Sequence, residues 1–111
     1  MNLNKENVLK VCDALESGKY EQGTNQMRMD MDGKYCCLGV ACDVSGLGEW
    51  SDDDTYLGSR DFLPSEVKSW LGFADKYGPA ICGKHSSSSA NDSGKSFYDI
   101  SAAWRELVVK I

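Results

Sequence analysis

Phe97, Ile100, Trp104, Leu107, Val108 and Ile111 recur at helical spacing, so the C-terminal segment predicts a helix with one long apolar stripe that must be covered. Ser96 stands where an N-cap belongs, and Asp99, three residues on, can return a bond to the cap's own backbone. The other end of the chain repeats the arrangement over residues 4–17. Asn4 predicts the cap, and Leu3 and Val8 sit where a hydrophobic staple forms. Val8, Val11, Cys12 and Leu15 make one face, and Gly18 offers the stop. Two amphipathic helices at opposite ends then have to close on whatever lies between them, with Cys12 acting as a small core residue.

With 111 residues, of which 41% are apolar, the chain has material for one core. We therefore expect a single compact α+β domain over residues 1–111, with three or four short helices packed around a small antiparallel β-hairpin or sheet. Met27, Met29 and Met31 alternate with polar residues and predict a strand with a core-facing methionine row. Asp32-Gly33 is a turn signal, and Lys34-Tyr35-Cys36 is the returning arm of the hairpin.

From Cys37 to Ser45 the period changes to helical, with Leu38, Ala41, Cys42 and Ser45 on one face and Gly46 with Gly48 at the exit. Gly39 costs this segment about 1 kcal/mol of helix propensity, which points to close backbone approach by the first helix or to an irregular element. Pro64 and Glu66 open a further short helix in which Val67, Trp70 and Leu71 face inward and Gly72 is the stop. Residues 49–61 read as an acidic loop and residues 83–95 as a polar, serine-rich surface loop turned by Asn91-Asp92-Ser93-Gly94.

The formal charge of −5 is unevenly placed: residues 21–61 hold nine acidic and three basic side chains, while the flanking segments are nearly balanced. Such a surface repels a phosphate backbone, which disfavours nucleic acid and suits a basic protein partner, a metal ion or solvent. No apolar run approaches the ~20 residues a bilayer requires, and the N-terminal residues have no signal-peptide hydrophobic segment. Five cysteines would leave one over from a disulfide framework, so reduced thiols and a cytoplasmic setting are expected.

Three kinds of chemistry have candidate residues. Cys36 or Cys37, with Cys42, Cys82 and His85, holds the sulfur and imidazole donors of a tetrahedral zinc site, although Cys37 to Cys42 is wider than a zinc knuckle and Cys82 to His85 supplies one half-site. His85 is also the only histidine that can serve a cysteine nucleophile, without a distinctive motif around either partner. Asp52, Asp53 and Asp54 lack the ligand alternation and terminal glutamate of a calcium loop and read as solvated.

Four blocks carry a resemblance: Leu15-Glu16-Ser17-Gly18-Lys19-Tyr20-Glu21-Gln22; Tyr35-Cys36-Cys37-Leu38-Gly39-Val40-Ala41-Cys42; Leu63-Pro64 through Trp70-Leu71-Gly72; and Asn91-Asp92-Ser93-Gly94-Lys95-Ser96-Phe97 through Ile100. In this order they resemble a family of small, functionally uncharacterised proteins of tailed bacteriophages. The resemblance implies a protein of the host bacterial cytoplasm and transfers no catalytic residue.

The expectation that follows is an accessory or host-interaction protein, of a counter-defence kind, that acts by binding a host protein, a phage protein or a small metabolite. Zinc-stabilised structural modules and cysteine-dependent enzymes are the alternative classes. Tyr20, Gln22, Arg28 and Tyr35 are the candidate ligand-binding residues, since aromatic faces and converging polar donors are what a binding site needs.

Overall fold

The computed structural model describes residues 3–81 and 85–110. The first helix, α1 (Lys5–Glu16), is capped by Asn4, whose side chain accepts from the Asn7 backbone N–H at 3.0 Å. It buries Val8, Val11, Cys12 and Leu15. At the other end, the helix α5 (Phe97–Val109) opens with a complete capping box between Ser96 and Asp99 and buries Phe97, Ile100, Ser101, Trp104 and Val108. Ile111 lies outside the described residues.

The two helices pack on each other along a seam that ends in a polar clasp. Arg105 grips Glu16 through Nε at 2.8 Å and Nη2 at 3.1 Å, and reaches Asp13 at 2.7 Å. The Ser101 hydroxyl donates to the Glu16 carboxylate from the buried side. Arg105, and then Ser101, hold the Glu16 carboxyl below the usual carboxylate range.

Between them the chain builds a small mixed sheet. The strands β1 (Glu21–Gln22), β2 (Arg28–Met29) and β3 (Lys34–Tyr35) lie in the order β1-β3-β2, with β2 antiparallel and β1 parallel to β3. The expected hairpin around Asp32-Gly33 is present, pairing Arg28 with Tyr35 and Met29 with Lys34. Its methionines do not form a core-facing row. Met27 is fully buried, Met29 is half-buried, and Met31 is 98% exposed. The alternation fails because the strand spans only Arg28–Met29, so Met31 falls in the turn, where side-chain direction no longer alternates.

The cysteine-rich helix α2 (Cys37–Ser45) has the predicted bounds and ends at Gly46, which adopts φ 64°. Residues 37–42 are all buried. Gly39 does mark a close approach, but the neighbour is Met27 rather than α1. A Cβ at Gly39 would land on the Met27 carbonyl group, far inside van der Waals contact. That carbonyl accepts from the Cys36 N–H at 3.0 Å, which binds the start of α2 to the segment entering β2.

The short helix α3 (Ser65–Leu71) follows Pro64 and stops at Gly72 with φ 77°, burying Val67 and Leu71. It is followed by a two-stranded ladder of β4 (Ala80–Ile81) and β5 (His85–Ser86).

The expected serine-rich loop over residues 83–95 is largely not a loop. Residues 83 and 84 lie outside the described residues; thereafter the chain forms β5 and then a helix, α4 (Ser87–Asp92), capped by the Ser86 side chain. Ser87, Ala90 and Asn91 are buried. Polar residues occupy this inner face because each has a partner. The Ser87 hydroxyl donates to Pro79 O at 2.6 Å and accepts from Trp104 Nε1 at 2.9 Å.

Asn91 accepts from Gln22 Nε2 at 2.9 Å and from the Cys37 N–H at 3.2 Å, and donates to Gly23 O at 2.8 Å. This one amide therefore joins β1, α2 and α4. Among the described residues no buried side-chain nitrogen or oxygen lacks a partner. Val11 and Trp104 are both fully buried as expected, in one core shared with the central cysteine helix, which packs on α1 and α4. The fold is α+β.

Candidate functional site

Register in the small sheet places Arg28 directly opposite Tyr35, so the two side chains emerge on one face. Tyr20, just before β1, meets Tyr35 edge to face with ring centroids 5.1 Å apart. The acidic loop then folds over the same face. Trp50 and Tyr56 form a bridge across it, and Trp50 packs at 5.9 Å from Tyr35 and 5.0 Å from Tyr56. Tyr20, Tyr35 and Trp50 are half-buried, and Tyr56 at the inner end is fully buried.

Carboxylates organise the rim of this aromatic row. Asp43, exposed on α2, accepts both from the Tyr20 hydroxyl and from Trp50 Nε1, the latter at 3.2 Å. Burial, and then the Asp43 carboxylate, push the Tyr20 phenol well above its ordinary range; burial, followed by the Asp43 charge, pushes that of Tyr35 upward. Both tyrosines therefore remain neutral hydrogen-bonding groups at physiological pH.

Arg28 lies with its guanidinium carbon 4.9 Å from the Trp50 ring centroid, pairs with Asp54 at 2.9 Å and approaches Asp30 at 3.8 Å. It also donates to Ser51 O at 3.3 Å. Its charge is spent holding the acidic loop against the sheet, while Glu49, Asp52 and Asp53 are exposed to solvent.

Of the four residues expected to bind a ligand, the structure thus brings Tyr20, Arg28 and Tyr35 together. Gln22 belongs elsewhere: its amide donates to Asn91 and to Lys95 O at 2.7 Å and accepts from the Phe97 N–H at 3.1 Å, tying β1 to α4 and α5. Sequence reasoning missed Asp43, Trp50 and Tyr56. The signal for Trp50 was available, since a tryptophan at the entry to an acidic loop requires a surface to cover it. The signal for Asp43 was not, because its two donors come from segments before and after its own helix.

The thiols have a different setting. Cys12, Cys36, Cys37 and Cys42 are free and buried. Cys37 Sγ donates to Ser87 O at 3.6 Å, whereas Cys42 Sγ lies 3.7 Å from Met27 Sδ, so these two candidate ligands serve different neighbours. His85 is exposed on β5, and Cys82 lies outside the described residues. Among the described residues no three His, Cys, Asp or Glu side chains gather into a group able to hold a metal ion.

Burial raises the Cys36 thiol to about 11 and pushes Cys12, Cys37 and Cys42 upward as well. We expect these four thiols to react with a disulfide reagent such as DTNB at neutral pH only as fast as the protein opens, and all at once in denaturant. Rapid labelling of any of them in the native protein would contradict this geometry.

A profile for a domain of unknown function, DUF8296, matches residues 3–103, which takes in α1, the aromatic face, the Asn91 hub and the first half of α5. The chain belongs to the DUF8296 family. Comparison with curated proteins and with solved structures found no match to the chain. Among the described residues of this DUF8296 domain, no helix is long and apolar enough to cross a membrane.

A groove of about 240 Å³ lies on another face of the DUF8296 domain, lined by Ile81, Lys95, Asp99, Ala102, Ala103 and Glu106. It is smaller than the roughly 300–1,000 Å³ typical of small-molecule sites. None of Tyr20, Tyr35, Trp50 and Tyr56 lines this groove.

Proposed function

We propose that this DUF8296 domain is a small phage-encoded accessory protein that works in the host bacterial cytoplasm by binding a basic host or phage protein, in a counter-defence or related role. The observation that carries the binding reading is the half-exposed Tyr20–Tyr35–Trp50 row, with Asp43 holding two of its rings while Arg28 is neutralised beneath the loop. Aromatic rings supply contact area at low entropic cost, and exposed carboxylates around them select a positively charged partner and speed its approach. The phage setting is supported by the four ordered sequence blocks from Leu15 to Ile100.

Native mass spectrometry after capture from phage-infected bacterial lysate tests the reading, with the wild-type chain run beside an Asp52→Lys/Asp53→Lys variant and a Trp50→Ala variant whose folding is checked by circular dichroism. The expected result is one reproducible protein adduct that is lost or weakened about tenfold in both variants and weakened by added salt. Identical adducts on all three proteins would remove the aromatic face from the reading. A retained mass of metabolite size would replace the protein partner altogether.

A further inference from the structure

Tyr56 and Ser59 exchange backbone hydrogen bonds at 2.8 and 3.0 Å and so close a two-residue turn on Leu57 and Gly58. Both turn residues have positive φ, 50° at Leu57 and 82° at Gly58. That is the turn geometry in which Asn-Gly is preferred, because a leucine Cβ crowds the backbone in the left-handed region. Leucine is therefore a locally unfavourable choice at position 57. Its side chain does not recover the loss by full burial: Leu57 is 40% exposed, and neighbouring Leu47 is 45% exposed.

The backbone around these two leucines is held by hydrogen bonds that do not involve their side chains. The Gly48 N–H donates to the buried Tyr56 hydroxyl at 2.7 Å, and the Leu47 N–H donates to Ser45 Oγ at 3.3 Å. Leu57 lies directly over Gly48, where a Cβ would collide with its Cδ2 and Cγ atoms. Position 48 thus leaves room for Leu57 to lie across the loop with its outer half in water. A strained residue that persists on a firm support is a candidate for function.

We propose that Leu57, with Leu47 beside it, is the apolar anchor of the binding face, and that the partner offers it an apolar cleft flanked by Lys or Arg side chains. This rests on the binding reading given above and names the partner's chemistry. Charge complementarity selects the occupant. Glu49 adjoins Gly48, Asp52 and Asp53 sit in the preceding turn, and Asp61 comes two residues after Ser59; all four are exposed, against one exposed cation, Arg60, which donates to the Asp53 backbone oxygen. An apolar contact in a segment of net negative charge is matched by an apolar cleft flanked by cations.

The test is selection of a displayed library of random peptides on the immobilised full chain, followed by affinity measurement of the enriched peptides against wild type, Leu57→Asn and Asp52→Lys/Asp53→Lys. We expect enriched peptides with apolar residues flanked by Lys or Arg, and binding weakened about tenfold or more by Leu57→Asn, which leaves every charge in place. The same substitution should raise Tm by a few degrees, about 4 °C, since asparagine suits the turn.

A lower Tm for Leu57→Asn would make the leucine a structural residue and overturn the proposal. Peptides that tolerate Leu57→Asn but not the charge reversals would discard the anchor and leave the acidic-face reading standing. Enrichment of acidic peptides, or of none, would discard both.

Discussion

Gly39→Ala is expected to destabilise the protein by about 3 kcal/mol or more, lowering Tm by at least ~10 °C or leaving the chain insoluble. Helix propensity predicts the opposite sign, since alanine in a helix interior is favoured over glycine by about 1 kcal/mol. The tertiary contact reverses the sign because a Cβ at position 39 has nowhere to go. Its three nearest atoms are all Met27 backbone, and backbone held in a hydrogen bond to the Cys36 N–H cannot rotate aside as a side chain would.

Accommodation would lift α2 from the segment entering β2, opening a gap around the buried Met27 and Cys42 side chains. Gly46→Ala is the matched control. It has no atom within 4 Å and only its φ of 64° to pay for, so its cost should stay near 1 kcal/mol. Thermal or urea denaturation of the two variants separates the effects, and a stable Gly39→Ala protein would show that the Met27 approach is looser than described.

Asn91→Ala should cost about 3–4 kcal/mol, an unusually large effect for a residue in a serine-rich stretch. The truncation leaves the Cys37 N–H and one Gln22 donor without their shared acceptor and deprives Gly23 O of its donor, and the Cys37 and Gly23 bonds are buried where water reaches poorly. Asn91→Asp keeps the acceptor but loses the donor to Gly23 and introduces a charge, so it should not restore stability. Ser89→Ala, on the exposed side of the same helix, should change stability by less than about 0.5 kcal/mol. Equal effects at positions 89 and 91 would mean that α4 is not the buried polar junction seen here.

These two positions also show where sequence reading succeeds and where it stops. The terminal helices, their caps, the turn at Asp32-Gly33 and the span of α2 were legible because each depends on groups within a few residues of one another. Gly39 was legible as a close approach, but the approaching partner was not. For the candidate site, Tyr20, Arg28 and Tyr35 were visible as suitable residue types, while Gln22 had the right chemistry for a ligand and is used to join β1 to α4 and α5.

The periodicity of the apolar residues by itself determined that two amphipathic helices would enclose a cysteine-lined interior, because the hydrophobic face of a helix is written at fixed spacing along the chain. Only the tertiary structure decided that a run of serines would become a helix with a buried polar face, that β1 would pair in parallel with β3, and that Asp43 would gather Tyr20 and Trp50. The physical reason is that a polar group is buried only when its partner arrives. Here the partners come from distant segments, as Gln22 and Asn91 do, and no local pattern encodes such a meeting.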